Sequence, residues 1–153
     1  MNPTSKGRAR YIITFVDDFS RKVWVYFLKQ KDEVFNNFEM FKALVENESG
    51  NKIKRIRINN GGEYVNNRFK SFCEHHGIKR EMTIRYTPQQ NDIVERKNKT
   101  LVEMVRCVIQ SKNLPLFLWD EVVNTATHVL NRSPTSVLKN ITPEEAWSGR
   151  KPN

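Results

Sequence analysis

Long apolar runs are missing from this chain. No stretch approaches the roughly 18 consecutive apolar residues of a membrane-spanning helix, so no segment reads as one. Cysteine is scarce: the two thiols, Cys73 and Cys107, cannot build a disulfide framework. A reducing intracellular setting is the expectation. The opening Met1-Asn-Pro-Thr-Ser-Lys-Gly-Arg8 has no apolar core and is not read as a secretory signal. Internal repeats and low-complexity tracts are absent. Zinc is disfavoured too, because Cys73, His75 and His76 lack a second ligand pair at the right spacing, and His128 stands alone. Asn60-Gly61-Gly62 is not a phosphate loop, since the Lys-Ser/Thr signature is missing. What the chain does have is positive charge. Its 153 residues carry 26 Lys and Arg against 17 Asp and Glu, a net +9 with a pI near 9.7. Such a balance favours polyanionic partners, nucleic acid above all, with a merely soluble basic protein as the plain alternative.

A chain of this length makes one domain with a real core. Residues 1–10 form a polar loop, and Tyr11–Val16 is β-branched and aromatic, hence a strand. Asp17-Asp-Phe-Ser20 supplies a turn into a second strand over 22–28, completing a hairpin. Asp32 is the expected N-cap of a helix over 32–47. Phe35, Phe38, Phe41 and Val45 give that helix an apolar stripe, and Gly50 closes it. A short strand follows over 53–58. A helix over 67–76 buries Phe69, Phe72, Cys73 and His76 and stops at Gly77. A strand over 78–84 and a loop through Pro88 and Asn91 lead to a long helix over 92–112. The last full helix spans 115–130 with Pro115 at its first position, and Thr142 opens a small terminal helix. The order β-β-α-β-α-β-α-α is an α/β pattern.

Two segments stand out: Arg57-Ile-Asn-Asn-Gly-Gly-Glu-Tyr64 and Thr87-Pro-Gln-Gln-Asn-Asp-Ile-Val-Glu-Arg-Lys-Asn98. Between Asn59 and Glu95 lie 35 residues. At about 100° per residue, Glu95, Asn98, Lys99 and Arg106 share one face of the long helix. Ile93, Val94, Leu101, Met104, Val105 and Val108 fill the other. Glu95 should therefore point outward from a helix anchored by its back. On residues alone this is first an ordinary Glu–Lys pair one turn apart, worth a few tenths of a kcal/mol.

These blocks, in this order and spacing, resemble the integrase core of copia-type retrotransposons. Tyr11-Ile-Ile-Thr-Phe-Val-Asp-Asp-Phe-Ser-Arg21, Asn131-Arg-Ser-Pro134 and Thr142-Pro-Glu-Glu-Ala-Trp147 extend the likeness over essentially the whole chain. The resemblance implies an RNase H-like α/β fold, a mixed sheet flanked by helices and here lacking its N-terminal central strand. It divides the chain into a truncated catalytic core over 1–112 and a helical extension over 113–153. It also implies three carboxylates holding two divalent metals, Mg²⁺ or Mn²⁺. Glu95 matches the third of these positions and would be the metal ligand if any is bound.

Asn59 replaces the second carboxylate, keeping an oxygen but losing the charge, and the first is expected upstream of Met1. Asp17 and Asp18 are expected to be turn residues that do not substitute for it, and Asp92 stands where the family has Gly. Loss of the central strand should leave two sheet edges unpaired. Metal binding should therefore be weak or absent and the chain catalytically dead, a remnant of a DNA strand-transfer enzyme. Residual non-specific DNA binding would fall to Arg96, Asn98, Lys99 and Arg106. A homodimer or an intact integrase is the protein partner implied. The apolar run Leu116, Phe117, Leu118, Trp119, Val122 and Val123 is the candidate surface, unless it is core. A non-enzymatic interaction module and a decayed product without a selected role are the two alternatives.

Overall fold

The computed structural model describes residues 9–59, 67–83 and 92–149. The polar N-terminus, the glycine turn after Asn59 and the loop through Pro88 and Asn91 lie outside them. The chain divides into two compact units, one of residues 1–29 and 93–153, the other of residues 30–92.

In the first unit, β1 (Tyr11–Val16) and β2 (Val23–Leu28) pair antiparallel, Tyr11 opposite Leu28 and Val16 opposite Val23. Asp17 builds the turn between them. Its carboxylate accepts the Ser20 N–H at 2.8 Å and its carbonyl accepts the Arg21 N–H at 2.8 Å. Arg21 takes the left-handed conformation at φ 64° and pairs with Asp18 at 3.2 Å. Both aspartates are turn residues, as expected.

Three helices complete this unit: α3 (Asp92–Ser111), α4 (Trp119–Asn131) and α5 (Pro143–Ser148). Leu101 and Val105 of α3 meet Trp119, Val122, Val123 and Ala126 of α4 in a buried cluster with Ala9. Ile12, Val25 and Phe27 of the hairpin pack against it.

Two sequence expectations are corrected here. Pro115 does not begin the α-helix. It caps a 3₁₀ turn over Leu116–Leu118, its carbonyl accepting the Leu118 N–H at 3.1 Å, and α4 starts only at Trp119. Val108 is 39% exposed and leaves its place in the core to Ile109. Asn113 turns left-handed at φ 51° and Leu114 N–H returns to the Ile109 carbonyl at 3.0 Å. That closure presses Leu114 onto Ile109 and sets which side of the last turn is buried.

In the second unit, β3 (Arg55–Asn59) and β4 (Lys79–Thr83) run parallel, with α1 (Val34–Ser49) and α2 (Asn67–His75). The core is aromatic. Phe35 and Phe38 of α1 each meet Phe69 and Phe72 of α2 edge-on, with centroids 5.2–6.3 Å apart. Gly50 and Gly77 end the two helices at φ 72° and 67°, where a side chain would be strained. Asp32 is not the N-cap of α1. A 3₁₀ turn over Lys31–Glu33 precedes it, because Gln30 and Glu33 bond reciprocally: Glu33 N–H reaches the Gln30 carbonyl and Gln30 N–H reaches the Glu33 carboxylate. His76 is exposed rather than buried, and stacks on Phe72 at 4.1 Å.

Glu46 ties the end of α1 to the chain entering β3. Burial acts to raise its pKa. Lys42 Nζ at 2.8 Å and the Ile53 N–H at 2.7 Å outweigh that and hold it below the ordinary 4.5. A depressed folded pKa means stability that is complete above the unfolded value and lost as pH falls through the folded one. Melting temperature followed from pH 6 to 3 should therefore decline less in Glu46→Gln than in the parent below about pH 4.5. Equal slopes would deny Glu46 this role.

Candidate functional site

α3 is a helix with a dry back and a charged front. Leu101 and Val105 are about fully buried, at 1% and 0% exposure. Glu95, Arg96, Lys99 and Arg106 are exposed. The sequence-predicted face thus forms as expected, with Glu103 adding an exposed carboxylate one turn beyond Lys99. Such a helix puts cations in solvent at fixed spacing, which suits a phosphate backbone.

Asn98 differs from its neighbours. It is half-buried, and its Oδ1 accepts the Thr14 hydroxyl at 2.6 Å. That bond anchors the first turns of α3 to β1. Sequence reasoning also passed over Lys97. It too is half-buried, and burial first, the Arg21 guanidinium second, pushes its amine pKa down.

Asn59 ends β3, its backbone paired in register with Thr83. It belongs to the second unit and Glu95 to the first. Among the described residues, no three of His, Cys, Asp and Glu converge as a cation site would require. Cys73 is buried, which pushes its thiol pKa up despite Arg80, and so is not poised as a ligand. Asn59 and Glu95 do not by themselves meet the charge of a pair of divalent cations. Glu95 brings one negative charge and Asn59 none, whereas two dications need several.

The apolar run 116–123 splits. Trp119, Val122 and Val123 are core, while Leu116 and Phe117 are 59% and 50% exposed. The two family-like blocks that follow hold the chain's end to β2. Asn131 Oδ1 accepts the Val23 N–H at 2.9 Å and its Nδ2 donates to the Val23 carbonyl at 2.8 Å. Thr142 caps α5, accepting the Glu145 N–H at 3.1 Å. Glu144 meets Lys22 Nζ at 2.9 Å, and Trp147 stands edge-on to Trp24 at 4.9 Å.

Comparison with known proteins decides the ancestry. The model of the integrase core domain family matches residues 1–88. The chain belongs to the integrase core domain family. It is 47% identical over 151 residues to the retrovirus-related Pol polyprotein from transposon TNT 1-94 of Nicotiana tabacum, covering 99% of this chain and 11% of that protein. The Pol polyprotein from transposon RE2 of Arabidopsis thaliana is 36% identical, covering 94% and 10%. The chain thus spans about a tenth of the length of these relatives.

Its fold is that of an RNase H-like integrase catalytic core. A simian T-cell lymphotropic virus intasome, solved with a PP2A regulatory subunit, superposes with a TM-score of 0.74 at 22% identity. That match covers 99% of this chain and 52% of the other. The HTLV-2 integrase core with magnesium, in its dimeric form, gives 0.64 at 24% identity over 89% and 82%.

Proposed function

We propose that this integrase-derived chain binds DNA without sequence preference and does not cut or join it. The single observation behind this reading is the composition of the α3 face: exposed Glu95 and Glu103 interleaved with exposed Arg96, Lys99 and Arg106. The amide at Asn59 takes away the charge a second metal ligand would bring. Even with a first carboxylate supplied, only two of the three would be present. Mg²⁺ or Mn²⁺ is accordingly held weakly or not at all. Action on DNA places the chain in the nucleus, or in the cytoplasm before it enters. The dimeric and trimeric forms of the HTLV-2 core favour pairing with a second copy or with an intact integrase.

Two assays test the reading. Incubation with supercoiled plasmid and a blunt duplex, in Mg²⁺ or Mn²⁺, should give neither nicks nor joined products. Metal-dependent turnover that Glu95→Gln abolishes would overturn the proposal. Fluorescence anisotropy with a labelled duplex should give an affinity that falls steeply as salt rises. Lys99→Ala and Arg106→Ala should each lower the logarithmic salt slope by about one. Slopes equal to the parent's would remove those residues from the interface.

A further inference from the structure

The second unit keeps its charges apart. Residues 52–59 and 79–83 hold six Lys and Arg against Glu81 alone, whereas residues 31–49 hold five Asp and Glu against Lys31 and Lys42. Cations thus gather on β3, β4 and the segment entering β3, and carboxylates on α1 and the 3₁₀ turn before it. Lys52 and Lys54 of that entering segment are exposed.

Strand alternation sorts the basic residues by face. The parallel register sets Arg55 beside Lys79 and Arg57 beside Glu81, so these four share one face. Ile58, 5% exposed, lies on the other. The polar face stands in solvent: the Arg55 and Arg57 side chains are 59% and 42% exposed, and Lys79 is exposed. Glu81 joins the two arginines, with Oε1 at 3.1 Å from Arg55 Nε and Oε2 at 3.5 Å from Arg57 Nε. Both pairs use Nε. Among the described residues, the Nη ends of the two guanidiniums are left without a partner. A guanidinium held at its base with its fork in solvent is ready to take a phosphate. Alternate residues of a strand stand roughly 6.6 Å apart, so the two forks can meet separate phosphates.

We infer that this face of β3 and β4 is a second DNA-binding surface, with Arg55, Arg57 and Lys79 taking the phosphates of one backbone. This surface presupposes the DNA binding proposed above and adds to it a contact that α3 does not supply. Phosphate contacts carry no base information, in keeping with binding that ignores sequence. An acidic protein would meet the same charge. Among the described residues, however, no large apolar side chain is exposed on these strands to anchor one.

Fluorescence anisotropy with a labelled duplex, across a salt series, tests the face in the full chain. Arg55→Gln and Arg57→Gln together should lower the logarithmic salt slope by about two, and Lys79→Gln by about one. Lys70→Gln, a loss of charge at an exposed position of α2, should leave the slope as it was. Thermal melts should find every variant folded, because the substituted side chains are exposed. Unchanged slopes in the β3 and β4 variants, with Lys99→Ala still lowering it, would overturn the inference and leave DNA binding by α3 standing. Salt-independent binding by the unmodified chain would remove both. An equal loss in Lys70→Gln would mean binding by net charge rather than by a face, and would also overturn the inference. So would poly-glutamate that binds as tightly as the duplex and loses its hold in the double arginine variant, since the face would then suit an acidic protein.

Discussion

Trp119→Ala is expected to cost about 3–5 kcal/mol. Trp119 is 1% exposed at the centre of the first unit's core, and its ring lies 5.8 Å from that of Phe27. It is the side chain through which α4 reaches both the α3 residues Leu101 and Val105 and the β2 side of the hairpin. Truncation leaves a ring-sized cavity that the surrounding β-branched residues cannot collapse into. Against a typical total of about 5–15 kcal/mol, the variant would be partly unfolded at 37 °C. Urea denaturation followed by near-UV circular dichroism reads the shift. Phe117→Ala, two residues away but half exposed, should stay within about 1 kcal/mol of the parent. Equal costs at the two positions would mean that this run does not divide into core and surface as described.

That division shows where sequence pattern stops informing. Periodicity located α4 and named its apolar residues, yet core and surface readings of Leu116–Val123 stayed open. The 3₁₀ turn after Pro115 rotates Leu116 and Phe117 off the face that Trp119 begins, and only the backbone path reveals it. Tyr11–Val16 emerged with its boundaries intact because six β-branched or aromatic residues abut Asp17 and Asp18, whose side chains favour turns. Gly50 and Gly77 were legible for a similar reason, since the left-handed stop needs glycine. The start of α1 was not, because Gln30 and Glu33 satisfy each other through a reciprocal bond that a search for Asp at the cap overlooks.

At the candidate site the outward face of α3 was legible, being a matter of helical angle. The Thr14–Asn98 bond was not, spanning 84 residues of sequence. Lys97 was missed because nothing local distinguishes a half-buried lysine from its exposed neighbours. That Asn59 carries no charge is plain from residue type, whereas its standing at a carboxylate position is an implication of the resemblance alone.

Asn131→Ala should cost about 2–6 kcal/mol through the hydrogen bonds its amide makes. Its amide holds the N–H and the carbonyl of Val23, a residue 2% exposed and 108 positions away in sequence. Removing it strands one buried donor and one buried acceptor, each worth about 1–3 kcal/mol when left unpaired. Asn131→Asp should be worse at neutral pH, because a carboxylate cannot donate to the Val23 carbonyl and brings a buried negative charge. Acidification should narrow the gap between the two variants, since the protonated acid regains a donor. Thermal melts of both variants at pH 7 and pH 4 provide the comparison. If Asp and Ala lose the same stability at both values, the amide is not serving as a surrogate strand. The block Asn131-Arg-Ser-Pro134 would then need another explanation. If the order holds, the block has a physical basis outside catalysis. It fills the hydrogen bonds at one position on the outer edge of β2, a task independent of the charge at position 59.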